Sequence, residues 1–200
     1  MEHYSTITFV GQMNVGKTAL IRRFMYGETI SNYEPTIEDI YNKTLEHENN
    51  TFHFRLIDTS GDSQFNVLKE VHYAESDYIV FVYSVNNKNS FIQGKRDLKQ
   101  ILSILLSSGR ETMPSIILVG NKCDLKKQRK VSALEAQNLV SLISGICPCA
   151  FFETSALYNV QVNDLFNIFI TGVPETKKNM LNQQLNNVNH NVSLIQLNTF

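Results

Sequence analysis

The stretch Gly11-Gln12-Met13-Asn14-Val15-Gly16-Lys17-Thr18 decides how the rest of this chain is read. Residues 6–10 before it are a short β-branched and aromatic run ending at glycine. Residues 17–26 after it carry Leu20, Ile21, Phe24 and Met25 at helical spacing. Glycines at both ends of such a turn let the backbone curl, so that its N–H groups point inward at phosphate oxygens. The helix that follows adds the positive end of its dipole. Lys17 then reaches the β- and γ-phosphates of a nucleotide, and the Thr18 hydroxyl is placed on Mg²⁺. Gly11, Met13, Asn14, Val15, Gly16 and Ala19 are expected to line the same cradle.

Outward from that turn, strand and helix patterns alternate. Residues 40–45 and 52–57 read as two strands joined by a polar hairpin over 46–50. Residues 78–85 are a near-continuous apolar run, as expected of a central strand buried on both faces. Leu98, Ile101, Leu102, Leu105 and Leu106 mark a long helix that ends near Gly109. Residues 116–119 read as a further buried strand, 133–143 as a helix, 151–152 as a strand and 162–170 as the last helix. This alternation predicts an α/β domain of three layers, a mostly parallel sheet covered on both faces. Ligands of such sheets bind at the carboxyl ends of the strands, so the residues that follow each strand are the candidate site.

Asp58-Thr59-Ser60-Gly61 follows the third strand. An aspartate ending an apolar strand can hold Mg²⁺, since hard cations take oxygen ligands. Gly61 offers a backbone N–H that reaches a γ-phosphate without a side chain in the way. Asn121-Lys122-Cys123-Asp124 follows the fifth strand. The Asp124 carboxylate can accept two hydrogen bonds, from guanine N1–H and from the exocyclic amine. Adenine has no such pair, and a buried acid left unpaired against ATP gives discrimination on the order of 10⁴-fold. Ser155-Ala156, after the sixth strand, sets a backbone N–H against the guanine carbonyl oxygen.

In this order the segments resemble those of the Ras superfamily of small GTPases, over about residues 4–171. The loop Tyr33-Glu34-Pro35-Thr36-Ile37-Glu38-Asp39 is most similar to that of the Ras subfamily. The resemblance implies a three-layer P-loop NTPase fold (the G domain), with a six-stranded, mostly parallel sheet and about five helices. It implies GTP or GDP held with Mg²⁺, the metal on Thr18, Thr36 and Asp58, and Lys17, Thr36, Gly61 and Asp62 as the catalytic set. Tyr33 would cover the nucleotide, while Asn121, Lys122, Asp124, Ser155, Ala156 and Leu157 would hold the base. Effector proteins would meet the 33–41 loop at Ile37, Glu38, Asp39 and Tyr41, and an exchange factor and an activating protein would act on the cycle. An order–disorder change driven by the γ-phosphate is the switch mechanism of this class.

Several positions depart from the family. Asp62 stands where a glutamine usually orients the attacking water. A carboxylate is shorter, lacks the amide donor and sits near a charged γ-phosphate. Met13 replaces a common glycine, and its side chain should project into the space of a partner's arginine finger. Slow intrinsic hydrolysis and poor stimulation by Ras-type activating proteins are therefore expected; an arginine finger contributes about 10³–10⁵ in rate. Thr29, followed by Ile30, takes the place of an aromatic ring that stacks on guanine, which predicts faster nucleotide loss. Leu157 replaces a common lysine with little expected consequence, because the backbone carries that contact.

Composition narrows the remaining possibilities. The 200 residues are 42% hydrophobic with a net charge of −1, enough for a sizeable core and without a global pull toward nucleic acid or anionic membrane. The basic run Lys126-Lys127-Gln128-Arg129-Lys130 reads as a solvated loop. Cys123, Cys147 and Cys149 lack metal-ligand spacing and read as reduced thiols. The start is unlike a signal peptide and no apolar run reaches the roughly 18 residues of a membrane span, so a cytoplasmic protein is expected and the sequons at Asn42, Asn49 and Asn191 are chance matches. Beyond Pro174 the composition shifts to Asn and Gln, which divides the chain into a G domain over 1–172 and a tail over 173–200 expected to be disordered. That tail has no cysteine for prenylation. Its Leu181, Leu185, Val188, Val192 and Ile195 keep a coiled-coil rhythm for only about two heptads, and a monomer is expected. The function these readings converge on is a guanine-nucleotide-dependent signalling switch with slow GTP hydrolysis; the competing reading is a GTP-bound scaffold that does not cycle.

Overall fold

The computed structural model describes residues 4–29, 36–61 and 66–173. Its centre is β1 (Tyr4–Val10), which pairs in parallel with β3 (Asn50–Thr59) on one side and β4 (Tyr78–Ser84) on the other. β5 (Ser115–Asn121) and β6 (Cys149–Glu153) extend the sheet in parallel beyond β4. β2 (Glu38–His47) pairs antiparallel with β3, so the order of the six strands is β2-β3-β1-β4-β5-β6. The α/β architecture read from the alternation is the one observed.

The period of two along the strands builds two cores from one run of apolar residues. Ile79, Phe81 and Tyr83 of β4, with Ile116 and Leu118 of β5, join one core. Val80, Val82, Ile117 and Val119 face the opposite one. The first core is covered by α2 (Asn66–Glu75), α3 (Lys88–Ser107) and α4 (Ala133–Ile143), the second by α1 (Lys17–Tyr26) and α5 (Val162–Thr171). Among the described residues there are thus five α-helices around six strands. None of those helices is long and apolar enough to cross a membrane.

Three elements differ from the sequence reading, each for a local reason. The β2–β3 turn is only Glu48-Asn49, with φ of 49° and 65°, rather than the five-residue loop expected. Two successive left-handed residues make the tight hairpin turn whose twist matches the strands, and Glu46 and His47 pair within the ladder. α3 begins ten residues before its leucine pattern, where Asn87 Oδ1 accepts from the Ser90 N–H at 3.2 Å and caps the helix. α2 has no counterpart in the sequence reading, and against the spacing of its apolar residues it turns His72 and Tyr73 inward and leaves Val71 exposed. The tail expected over 173–200 lies outside the described residues apart from Val173.

The second core turns on Phe166, 1% exposed, whose ring lies 3.7 Å between centroids from Phe24 of α1 and meets Phe169 edge-on at 5.4 Å. Phe166→Ala is expected to destabilise the domain by about 3–5 kcal/mol, read by urea unfolding. Ser132→Ala, which opens the capping box at the start of α4, is expected to cost only about 1 kcal/mol in the same assay.

Candidate functional site

β1 hands directly into the glycine-rich turn, and α1 starts at Lys17. Gly16 caps that helix at φ 100°, and a Cβ there would fall 2.3 Å from Asn121 Nδ2. Only glycine fits both the backbone angle and the space. The Lys17 side chain is buried and its Nζ donates to the carbonyls of Gly11 at 2.8 Å and Gln12 at 3.2 Å. The ammonium is thereby held across the mouth of the turn, against carbonyls that an anion could displace.

Sheet register brings Asp58 beside this turn. It pairs with Phe9 of β1 and Asp39 of β2, and is fully buried. Its Oδ2 accepts the Thr18 hydroxyl at 2.6 Å, and the same hydroxyl lies 3.1 Å from that of Thr36. Its Oδ1 is buried and has no hydrogen-bond partner among the described residues. Burial raises the Asp58 pKa to about 6, against the lowering effects of the Thr18 hydrogen bond and Lys17. A carboxylate with one orphaned oxygen, beside two hydroxyls, is a donor set of hard oxygens that suits Mg²⁺. The three residues expected on the metal are therefore brought together.

The segment after β3 closes on the turn as well. A Cβ on Gly61 would fall 2.2 Å from the Met13 nitrogen, so backbone meets backbone there. Met13 itself is 53% exposed beside this contact. Asp62, Tyr33 and Ile30 lie outside the described residues.

The residues expected to read the base converge on one side chain. Asn121 is buried at the end of β5; its Nδ2 donates to Val15 O at 2.9 Å, and its Oδ1 accepts from Thr154 Oγ1 and the Ala156 N–H, both at 3.2 Å. Lys122, at φ 63°, sends its Nζ to Asn14 O at 2.6 Å, and burial lowers its pKa. The Ala156 amide expected to face a base carbonyl is thus already shared with Asn121. Asp124 is half-buried rather than buried, and Leu157 is exposed. Ser155 is buried and pairs through its backbone with Val160 at 3.1 and 3.0 Å.

The basic run is not uniformly solvated. Lys126 and Lys127 are exposed on a short 3-10 turn, but Arg129 is half-buried and donates to both carboxylate oxygens of Glu153, at 2.5 and 2.9 Å. Two residues of the site carry no motif signal. Thr154 precedes the Ser155-Ala156 pair, and Arg23 on α1 reaches the carbonyls of Ala156 and Leu157 from more than 130 positions away in sequence. Contacts of that separation leave no trace in spacing. On the loop expected to meet partners, Ile37, Asp39 and Ile40 are exposed. Glu38 instead accepts from His72 Nε2 of α2 at 2.8 Å.

The comparisons with known proteins bear on the family of the chain. The model of the Ras family matches residues 6–175. The GTPase RhebL1 of Mus musculus is 34% identical over 163 residues, covering 82% of this chain and 84% of that protein.

Asp58→Asn keeps an oxygen for Thr18 and removes the desolvated charge. Because the folded-state pKa of about 6 lies above the ordinary 3.8, the ionised carboxylate opposes folding at neutral pH. The variant, freed of metal and nucleotide by chelation, is expected to be more stable than the parent by about 1–3 kcal/mol at pH 7.5, measured by urea unfolding.

Proposed function

Because the chain belongs to the Ras family of small GTPases, we propose that it is a signalling switch holding GTP or GDP with Mg²⁺ in the cradle of residues 11–18, and that it hydrolyses GTP slowly. The observation that carries this reading is the meeting of Thr18, Thr36 and the half-satisfied Asp58, with Lys17 close by. Lys17 exchanges the carbonyls of Gly11 and Gln12 for β- and γ-phosphate oxygens. Thr18, Thr36 and Asp58 would hold Mg²⁺, which when bound supplies positive charge to those oxygens. Gly61 presents its N–H to the γ-phosphate from the segment that lies on Met13. Thr36 belongs to the loop that meets partners, so loss of the γ-phosphate removes one of its anchors and releases the loop.

Asp124 accepts from the guanine edge, Lys122 braces the phosphate turn at Asn14, and the Ser155–Leu157 backbone donates to the base carbonyl. Tyr33 closes over the nucleotide. The exposed Ile37, Asp39 and Ile40, with the half-buried Tyr41, form the face for effector proteins in a cytoplasmic, monomeric G domain over 1–172. An exchange factor reloads it. Asp62 carries a negative charge where a neutral amide would position water, and this supports slow hydrolysis.

Purified chain with Mg²⁺ is expected to retain guanosine phosphates and to prefer GTP over ATP in competition; retention of neither sinks the assignment. In single-turnover assays hydrolysis is expected to be slower than that of glutamine-bearing Ras proteins, and Asp62→Gln to accelerate it about tenfold or more. A parent rate equal to theirs overturns the slow-hydrolysis reading alone.

A further inference from the structure

Arg23 stands in the last turn of α1 and binds three backbone carbonyls on two separate loops. Its Nη1 donates to Gly27 O at 2.6 Å, Nε to Ala156 O at 2.8 Å and Nη2 to Leu157 O at 2.8 Å. Gly27, at φ 71°, returns its own N–H to Arg23 O at 2.9 Å. One residue therefore holds Gly27 through both of its backbone groups. It also joins the chain leading to Thr29 to the 155–157 turn.

We propose that Arg23 is a positioning residue for guanine recognition, a clamp that takes over the task of the aromatic ring missing at Thr29. The proposal rests on the reading of residues 155–157 as the base-binding turn. A trans peptide sets its N–H opposite its C=O. Fixing Ala156 O toward α1 therefore aims the Leu157 N–H away from α1, as a donor for the base carbonyl. Fixing Leu157 O does the same for the Tyr158 N–H, which donates to Ser155 Oγ at 3.2 Å and closes the turn. The guanidinium suits this task because its planar fork offers several donors at fixed angles, and charged donors bind carbonyls more strongly than neutral ones. Thr29, exposed and without a ring, gives the base no stacking partner on that side, so orientation of the 155–157 amides governs how long the base is held.

The test measures GDP and ADP affinity and off-rate with Mg²⁺ for the parent, Arg23→Gln, Arg23→Lys and Thr29→Phe/Arg23→Gln. Arg23→Gln is expected to release GDP about tenfold faster, in line with losing charge-assisted hydrogen bonds, while ADP affinity stays unchanged. Arg23→Lys keeps the charge and the stem but not the fork, so it too is expected to release GDP faster; it serves as the main variant if Arg23→Gln fails to fold. Thr29→Phe is expected to restore GDP retention in the Arg23→Gln background. Equal weakening of GDP and ADP means a general structural role and overturns the clamp, as does an unchanged GDP off-rate. Failure of Thr29→Phe to restore retention overturns the exchange of ring for clamp. A parent protein with no preference for GDP over ADP sinks the guanine reading itself, and the clamp with it.

Discussion

The side-chain amide of Asn121 is the place where three distant stretches of chain are tied together. Its Nδ2 holds the phosphate turn at Val15, while its Oδ1 holds Thr154 and Ala156 beyond β6. The side chain is 1% exposed, so no water could take over a lost partner, and a buried amide left unpaired costs about 1–3 kcal/mol. The same close packing excludes a Cβ at Gly16. The glycine-rich turn, the end of β5 and the 154–157 turn therefore behave as one rigid unit, reinforced by Lys122 on Asn14 and by the Cys123 N–H on Thr154 O at 3.0 Å. Arg23 joins α1 to that unit from the outside.

The other half of the site is attached more lightly. Among the described residues, Thr36 touches the rigid unit through its hydroxyl, Gly61 through a close backbone approach, and Glu38 is tied to α2 through His72. Among the described contacts, each of these attachments is made by polar or backbone groups. That asymmetry suits a switch, because an arriving or departing anion alters only a small number of weak links. Segments that move in such transitions are drawn from the less stable parts of a fold.

Asp58 connects the two halves electrostatically. It is sequestered at the end of β3 with one oxygen satisfied by Thr18 and one orphaned, and burial works against its charge. A site that disfavours its own negative charge is prepared to receive a cation, since binding one relieves a penalty already present in the fold. Structure and stability thus oppose one another at this residue, as is common where side chains are arranged for binding.

Much of this was legible in the chain itself. The glycine-rich turn between a strand and a helix, Asp58 at the end of an apolar strand, and Asn121 to Asp124 after a buried one each express a local rule: backbone freedom, hydrophobic period, and the placing of polar residues where a strand ends. Those rules act over a few residues, so spacing records them. Tertiary structure alone decided that Asn121 spends its amide on protein groups, that Ala156 already has an acceptor, and that Glu38 is engaged by His72. It also decided the inward face of α2, where packing against β1 and α3 overrode the apolar pattern, and the reach of Arg23 to Ala156 and Leu157. These contacts join residues tens to more than a hundred positions apart, and most of their partners are backbone carbonyls and amides. Side-chain identity at one end cannot reveal such a bond until the chain has folded and brought the other end within 3 Å.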